Sequence, residues 1–177
     1  MVRLLNSAEE RQLCSVQYCE PNYVYHTHFA RKRKDPDPLN EELIDYSKAI
    51  MNVPQAWELT QGDSNVVVAV IDSGVDYTHS DLRENMWLNA LEELGEPGVD
   101  DDENGYVDDV YGWDFHNNRP NAMDDNRHGT HVAGTIAAAA DGHGTIGVAP
   151  KVRVMPLKFL SAAGGGSTLN AIRAIEY

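Results

Sequence analysis

Val66-Val67-Val68-Ala69-Val70-Ile71-Asp72-Ser73-Gly74 is an apolar, mostly β-branched run that stops on a carboxylate and a glycine. Continuous apolar character, rather than alternation, suits a central strand of a parallel sheet covered on both faces. In an open parallel sheet, functional groups collect at the carboxyl ends of the strands, and Asp72 stands at such an end. Gly74 lets the chain turn sharply away. Taken alone, Asp-Ser-Gly is also ordinary turn chemistry, in which an Asp side chain caps its own bend.

Outward from this strand, His128-Gly129-Thr130-His131-Val132-Ala133-Gly134 opens an alanine-rich stretch that predicts a helix over 128–140. His128 falls in its first turn, on a rigid element, where an imidazole can serve as general base; as a lone residue it reads equally as a surface-helix cap. Gly129 and Gly134 are poor helix formers and predict close approach of other backbone. A strand over 152–157 and a helix after Ser167 follow, and a helix over 53–59 with Pro54 in its first turn precedes. Strand alternating with helix predicts an α/β sheet with crossover connections.

The first part of the chain reads differently. Ser7 and Glu10 form a capping box for a helix over 8–13, and Val16–Tyr18 and Tyr23–Tyr25 read as short strands around Glu20-Pro21-Asn22. Arg31-Lys32-Arg33-Lys34 followed by Asp35-Pro36-Asp37-Pro38 predicts a linker or domain boundary. Cys14 and Cys19 are too few for a disulfide framework and can pair or stay free.

The 177 residues suffice for one substantial core, and the net charge of −14 argues against nucleic acid and disfavours an anionic membrane surface as partners. No stretch reaches the ~18 consecutive apolar residues of a membrane helix, and Met1–Glu10 lacks the apolar core of a secretory signal. Acidic residues are concentrated: 14 of the 28 Asp and Glu lie from Asp81 to Asp125, against only Arg83 and Arg119. Within that region Asp100, Asp102 and Asn104 alternate before Gly105, the pattern of the first half of an EF-hand-like calcium loop, with the Tyr106 carbonyl as a further oxygen. Tyr111 stands where the twelfth-position glutamate would be, so Asp108 or Asp109 has to close the shell. The alternative is a solvated acidic loop whose carboxylates repel one another.

Together, Val68 to Asp76, His79-Ser80-Asp81-Leu82, His128 to Thr135 and Gly147-Val148-Ala149-Pro150 resemble the subtilisin-like serine proteases, over about 53–177. The resemblance implies a parallel sheet with helices on both faces, incomplete at the C-terminus, preceded by the remnant of an inhibitory propeptide over 1–30 and a linker over 31–52. It implies that Asp72 orients His128, that His128 takes the proton of a nucleophilic serine, and that His131 makes a structural hydrogen bond. Gly164-Gly165-Gly166 resembles the edge that pairs with extended peptide substrate, though a flexible loop before Ser167 reads the same way. Asp81 with Asp141 matches a second calcium position; a third, after Asp114, is disfavoured by Arg119. Calcium and a secreted or secretory location follow from the same likeness, as does the chain's own propeptide as a partner, with Val16–His28 as its tail. Arg31–Lys34 is either a processing site or a solvated linker.

The family's Gly-Thr-Ser-x-Ala segment is not among these residues, and Ser161 and Ser167 lack its context. The expected parent activity is therefore serine endopeptidase action, with only Asp and His of the triad in this chain, which alone is expected to be inactive. The alternative is a catalytically inactive calcium-binding fragment or decoy. A metal-dependent hydrolase built on His128 and His131 is disfavoured, because the two lie three apart rather than four and Gly129 replaces the glutamate.

Overall fold

The computed structural model of the chain describes Val24–His26, Lys48, Ile50 and residues 51–142 and 144–177. The expected helix over 8–13, the strand over 16–18, both cysteines and the Arg31–Pro38 linker lie outside the described residues. In chain order the elements are β1 (Val24–His26), α1 (Val53–Trp57), β2 (Val67–Asp72), a 3-10 turn (Arg83–Asn85), α2 (Ala90–Leu94), β3 (Trp113–Asp114), α3 (His128–Ala137), β4 (Arg153–Lys158), β5 (Gly165–Ser167) and α4 (Thr168–Glu176).

A parallel sheet of order β2-β4-β3 carries the fold. Its register sets Asp72 beside Lys158 and Lys158 beside Asp114, so the strands end on one row of charged residues. Successive side chains on a strand point to opposite faces, and the sheet uses both. Val68, Val70, Val152 and Val154 meet Ala133 and Ala137 of α3 on one face. Ile71, Met155 and Leu157 meet Ala174 of α4, with Trp113 and Phe115, on the other. The fold is thus α/β with helices on both faces of a parallel sheet.

Among the described residues β2 is an edge strand, not the central one expected, and Val66 and Val67 at its start are 50% and 42% exposed. Unbroken apolar character reports shielding of both faces without reporting position in the sheet; the centre belongs to β4, where Val154 and Leu157 are buried.

Helix α3 ends at Ala137, short of the expected Ala140, because Ala138 turns extended. The next backbone groups then serve return contacts: Ala139 N donates to Asp81 O at 2.8 Å and Gly147 N to Ala138 O at 2.9 Å. Helix α1 likewise ends at Trp57, whose indole N–H donates to Val148 O. Helix α4 begins as expected, with Ser167 Oγ accepting from Asn170 N.

Strand β5 pairs antiparallel with β1, placing Val24 opposite Ser167, Tyr25 opposite Gly166 and His26 opposite Gly165. Of the expected strand over 23–25, Val24 and Tyr25 lie in β1, which runs on to His26, and Tyr23 lies outside the described residues.

Candidate active site

Asp72, 9% exposed at the end of β2, holds Nδ1 of His128 with both carboxylate oxygens, at 2.8 and 2.9 Å. Nδ1 therefore donates, and the basic lone pair of a neutral ring resides on Nε2. The carboxylate also accepts from Ser73 N at 2.7 Å, while the carbonyl of Asp72 accepts from Phe159 N and Leu160 N beyond β4. Backbone on two sides thus fixes the acid.

Glycine makes the approach of helix and strand possible. A Cβ on Gly129 would collide with the carbonyl oxygen of Gly74 and stand 3.2 Å from Cβ of Asp72. Gly74 adopts φ +97°, and a side chain there would collide with Ala122 O. Gly134 is different: nothing lies within 4 Å of a Cβ there, so the close approach expected at that position is absent.

The loop into α3 is bent left-handed at Arg127, φ 82°, a strained conformation for a residue with a side chain. Asp124 holds this bend: its Oδ1 accepts from Asn126 N, Arg127 N and Ser73 Oγ, and its Oδ2 from Thr130 N and Thr130 Oγ1. Burial acts to raise the pKa of Asp124, but the bonds from Thr130, Asn126 and Ser73 outweigh it and hold the carboxyl below the usual carboxylate range. Sequence reading missed Asp124; its signal was an Asp a few residues before a helix start. Lys158, also missed, is fully buried and donates to Ser73 O and Asp125 Oδ1, each at 2.6 Å.

His131, expected to make a structural hydrogen bond, stands exposed on α3. Its side of α3 borders a cavity of about 700 Å³ that His79 and Asp81 also line. Ser161 Oγ accepts from Gly165 N, and Ser167 Oγ caps α4, so both hydroxyls serve local turns. Of the three glycines, Gly165 and Gly166 lie in β5 and pair with β1, whereas Gly164 turns at φ +79° just before it. Asn126 ties this segment to the His128 loop by donating to Ala162 O at 2.8 Å.

The acidic insert folds around Asn89, whose amide donates to Asp102 at 2.8 Å and to buried Asp109 at 2.7 Å. Carboxylate oxygens of Asp102, Asp109 and Glu92 lie within 4.8 Å of one another. Three carboxylates so close, two of them buried, suit a hard, oxygen-seeking cation. Glu92 was not among the sequence candidates, because it stands on α2 outside the loop pattern. Asn104 donates to Asp102 and Asp109, while Asp100 accepts from Asn104 N and Gly105 N. Asp108 turns away to accept from Gly98 N, leaving Asp109 as the inward carboxylate. The Tyr106 ring packs edge-on against Trp113, Phe115 and Tyr177. Tyr177 donates to Asp109 at 2.6 Å; burial pushes its hydroxyl above the ordinary tyrosine range, and that bond and the charges of Asp109 and Asp102 add to it. At the second expected position, Asp81 meets the 139–145 loop at Gly144, and Asp141 is exposed. Arg119 pairs with the buried Asp114.

An Asp–His pair on the carboxyl rim of a parallel sheet, with helices on both faces, defines an α/β protein of subtilisin-like architecture. The chain belongs to the subtilase family, Peptidase S8, whose sequence profile matches residues 63–177. It is 47% identical over 111 residues to "Subtilisin-like protease 1" of Plasmodium vivax, covering 62% of this chain and 18% of that protein. It is 33% identical over 163 residues to the "Thermophilic serine proteinase" of Bacillus sp. (strain AK1), covering 92% of this chain and 34% of that protein. "Subtilisin-like protease 2" of Plasmodium falciparum (isolate 3D7) is 35% identical over 142 residues, 78% of this chain and 10% of that protein. The chain thus spans between 10% and 34% of the length of these relatives. Among the described residues no helix is long and apolar enough to cross a membrane.

Proposed function

We propose that this chain carries the acid and the base of a serine endopeptidase site. The observation that carries the reading is the two-oxygen grip of Asp72 on Nδ1 of His128. Asp72 fixes the tautomer and stabilises the charge that develops on the ring; Nε2 takes the proton of an attacking serine and returns it to the leaving amine. The Gly-Thr-Ser-x-Ala context of that serine does not occur in these 177 residues, and neither Ser161 nor Ser167 replaces it; on this reading the 177 residues alone do not hydrolyse peptides.

Gly165 and Gly166, with Gly164 as the preceding turn, form the edge on which an extended peptide or protein substrate lies. Support comes from the antiparallel pairing of β1 on that edge, which is the backbone geometry of strand addition. On this reading residues 1–30 are the tail of the chain's own propeptide, 31–52 its connection, and 53–177 part of the peptidase domain. Calcium would be held by Asp102, Asp109 and Glu92, while Asn104 braces two of them with its amide N–H groups and turns its Oδ1 to Tyr106 N, and Asp100 and the Tyr106 carbonyl shape the loop; Asp81 and Asp141 would be the second position. Bound there, calcium supplies charge neutralisation and nothing to the reaction itself. A secreted or secretory location accords with such sites.

The test is proton NMR of the purified, ¹⁵N-labelled chain. A downfield, exchange-protected Nδ1 proton of His128 that disappears in Asp72→Asn supports the reading, and its persistence in that variant overturns it. Separately, cleavage of a peptide substrate by the chain, blocked by a serine-directed phosphonate, would refute the inactivity of these residues alone.

A further inference from the structure

Asp124 takes no part in the proposed proton transfer, yet its carboxylate collects donors from both elements that carry the Asp72–His128 pair. Two hydroxyls connect to it in a reciprocal way. Ser73, next to Asp72, donates to Asp124 Oδ1 at 2.8 Å and accepts from Gly129 N, next to His128, at 3.0 Å. Thr130, on α3, donates to Asp124 Oδ2 at 2.5 Å and accepts from Asp76 N, beyond the β2 turn, at 2.9 Å. Each hydroxyl thus reaches across from one element to the other.

A hydroxyl has one proton, and which neighbour receives it is set by the neighbour's chemistry. An ionised carboxylate is acceptor-only, so it draws the protons of both hydroxyls toward itself. Their lone pairs then face the N–H groups of Gly129 and Asp76, both fixed donors. With an amide in place of the carboxylate, one side of the clasp would present a donor to a donor: to Thr130 N on the Oδ2 side, or to Asn126 N and Arg127 N on the Oδ1 side. The same oxygen Oδ1 secures the left-handed bend at Arg127 immediately before His128.

We infer that Asp124 is the positioning residue of the Asp72–His128 pair, setting the direction of the Ser73 and Thr130 hydroxyls so that the β2 turn and the first turn of α3 are locked to each other. The inference rests on the proposed acid–base role of that pair. Asp124 touches neither Asp72 nor His128 through any of these bonds; it acts through Ser73, Arg127 and Thr130.

The experiment follows hydrogen exchange of the His128 Nδ1 proton in the ¹⁵N-labelled full chain, at a temperature where circular dichroism shows each variant folded. Asp124→Ala is expected to speed exchange about tenfold or more; Ser73→Ala and Thr130→Val, each removing one arm, are expected to speed it several-fold. Thr130→Ser, which keeps the hydroxyl, is expected to stay at the parent rate, a rescue that lost packing alone would not give. A folded Asp124→Ala variant exchanging at the parent rate overturns the inference. If that variant does not fold, parent-rate exchange in both Ser73→Ala and Thr130→Val overturns it instead. Loss of the proton in Asp72→Asn, measured alongside, shows that the acid–base reading stands even where the positioning role fails.

Discussion

The Nζ of Lys158 lies 2.6 Å from the carbonyl oxygen of Ser73, a fully buried ammonium against a fully buried residue directly after Asp72. Asp125, on the other side of Nζ, is the anionic partner and is partly open to solvent. Replacing Lys158 by Met leaves the Ser73 carbonyl without this donor, and a buried acceptor so orphaned costs about 1–3 kcal/mol. Thermal unfolding of Lys158→Met should show that loss as a lowered Tm, whereas Asp125→Asn, at the exposed end, should lower it less.

Two glycines of α3 should respond in opposite directions. Gly129→Ala drives a methyl into the Gly74 carbonyl and against Asp72, an overpacking worth about 1–3 kcal/mol of destabilisation. Gly134→Ala meets nothing within 4 Å and gains helix propensity, about 0.5–1 kcal/mol of stabilisation. Chemical denaturation of both variants separates them; a loss of stability in Gly134→Ala would contradict the open surface there.

Calcium should stabilise the chain through the Asp102, Asp109 and Glu92 cluster. Replacing Asp102 and Asn104 by alanine is expected to lower Tm in calcium and to leave it nearly unchanged in chelator, because without the ion these carboxylates chiefly repel one another. An equal drop in both conditions would show that the loop is held by its hydrogen bonds alone.

Asp124 should make the chain acid-labile. Its folded-state pKa is depressed, so its contribution is complete above the unfolded aspartate value of about 3.9 and is lost as pH falls through the folded value. Tm measured from about pH 5 downward should fall less steeply in Asp124→Ala than in the parent chain.

The strands and helices that carry the site were legible because their signals are local. An apolar run ending in Asp-Ser-Gly gave β2 with Asp72 at its end, and Ser167 before a polar-apolar run gave the α4 cap. What stayed hidden depends on distant partners. The edge position of β2 among the described residues is decided by which strand pairs beside it, not by its own residues. Glu92 joins Asp102 and Asp109 from a separate helix, so no loop spacing includes it. Lys158 falls just past the strand expected over 152–157, and only the register sets it beside Asp72. Gly134 copied the composition of Gly129 without its neighbour.

Among the described residues the pairing of β1 with β5 involves three residues on each side, a ladder too short to be stable in water by itself. Because Val24–His26 belong to the same chain as Gly165–Ser167, covalent connection raises the local concentration of the strand at this edge. Scission between His26 and Val53 would leave the three described pairs unaltered and yet remove that covalent advantage.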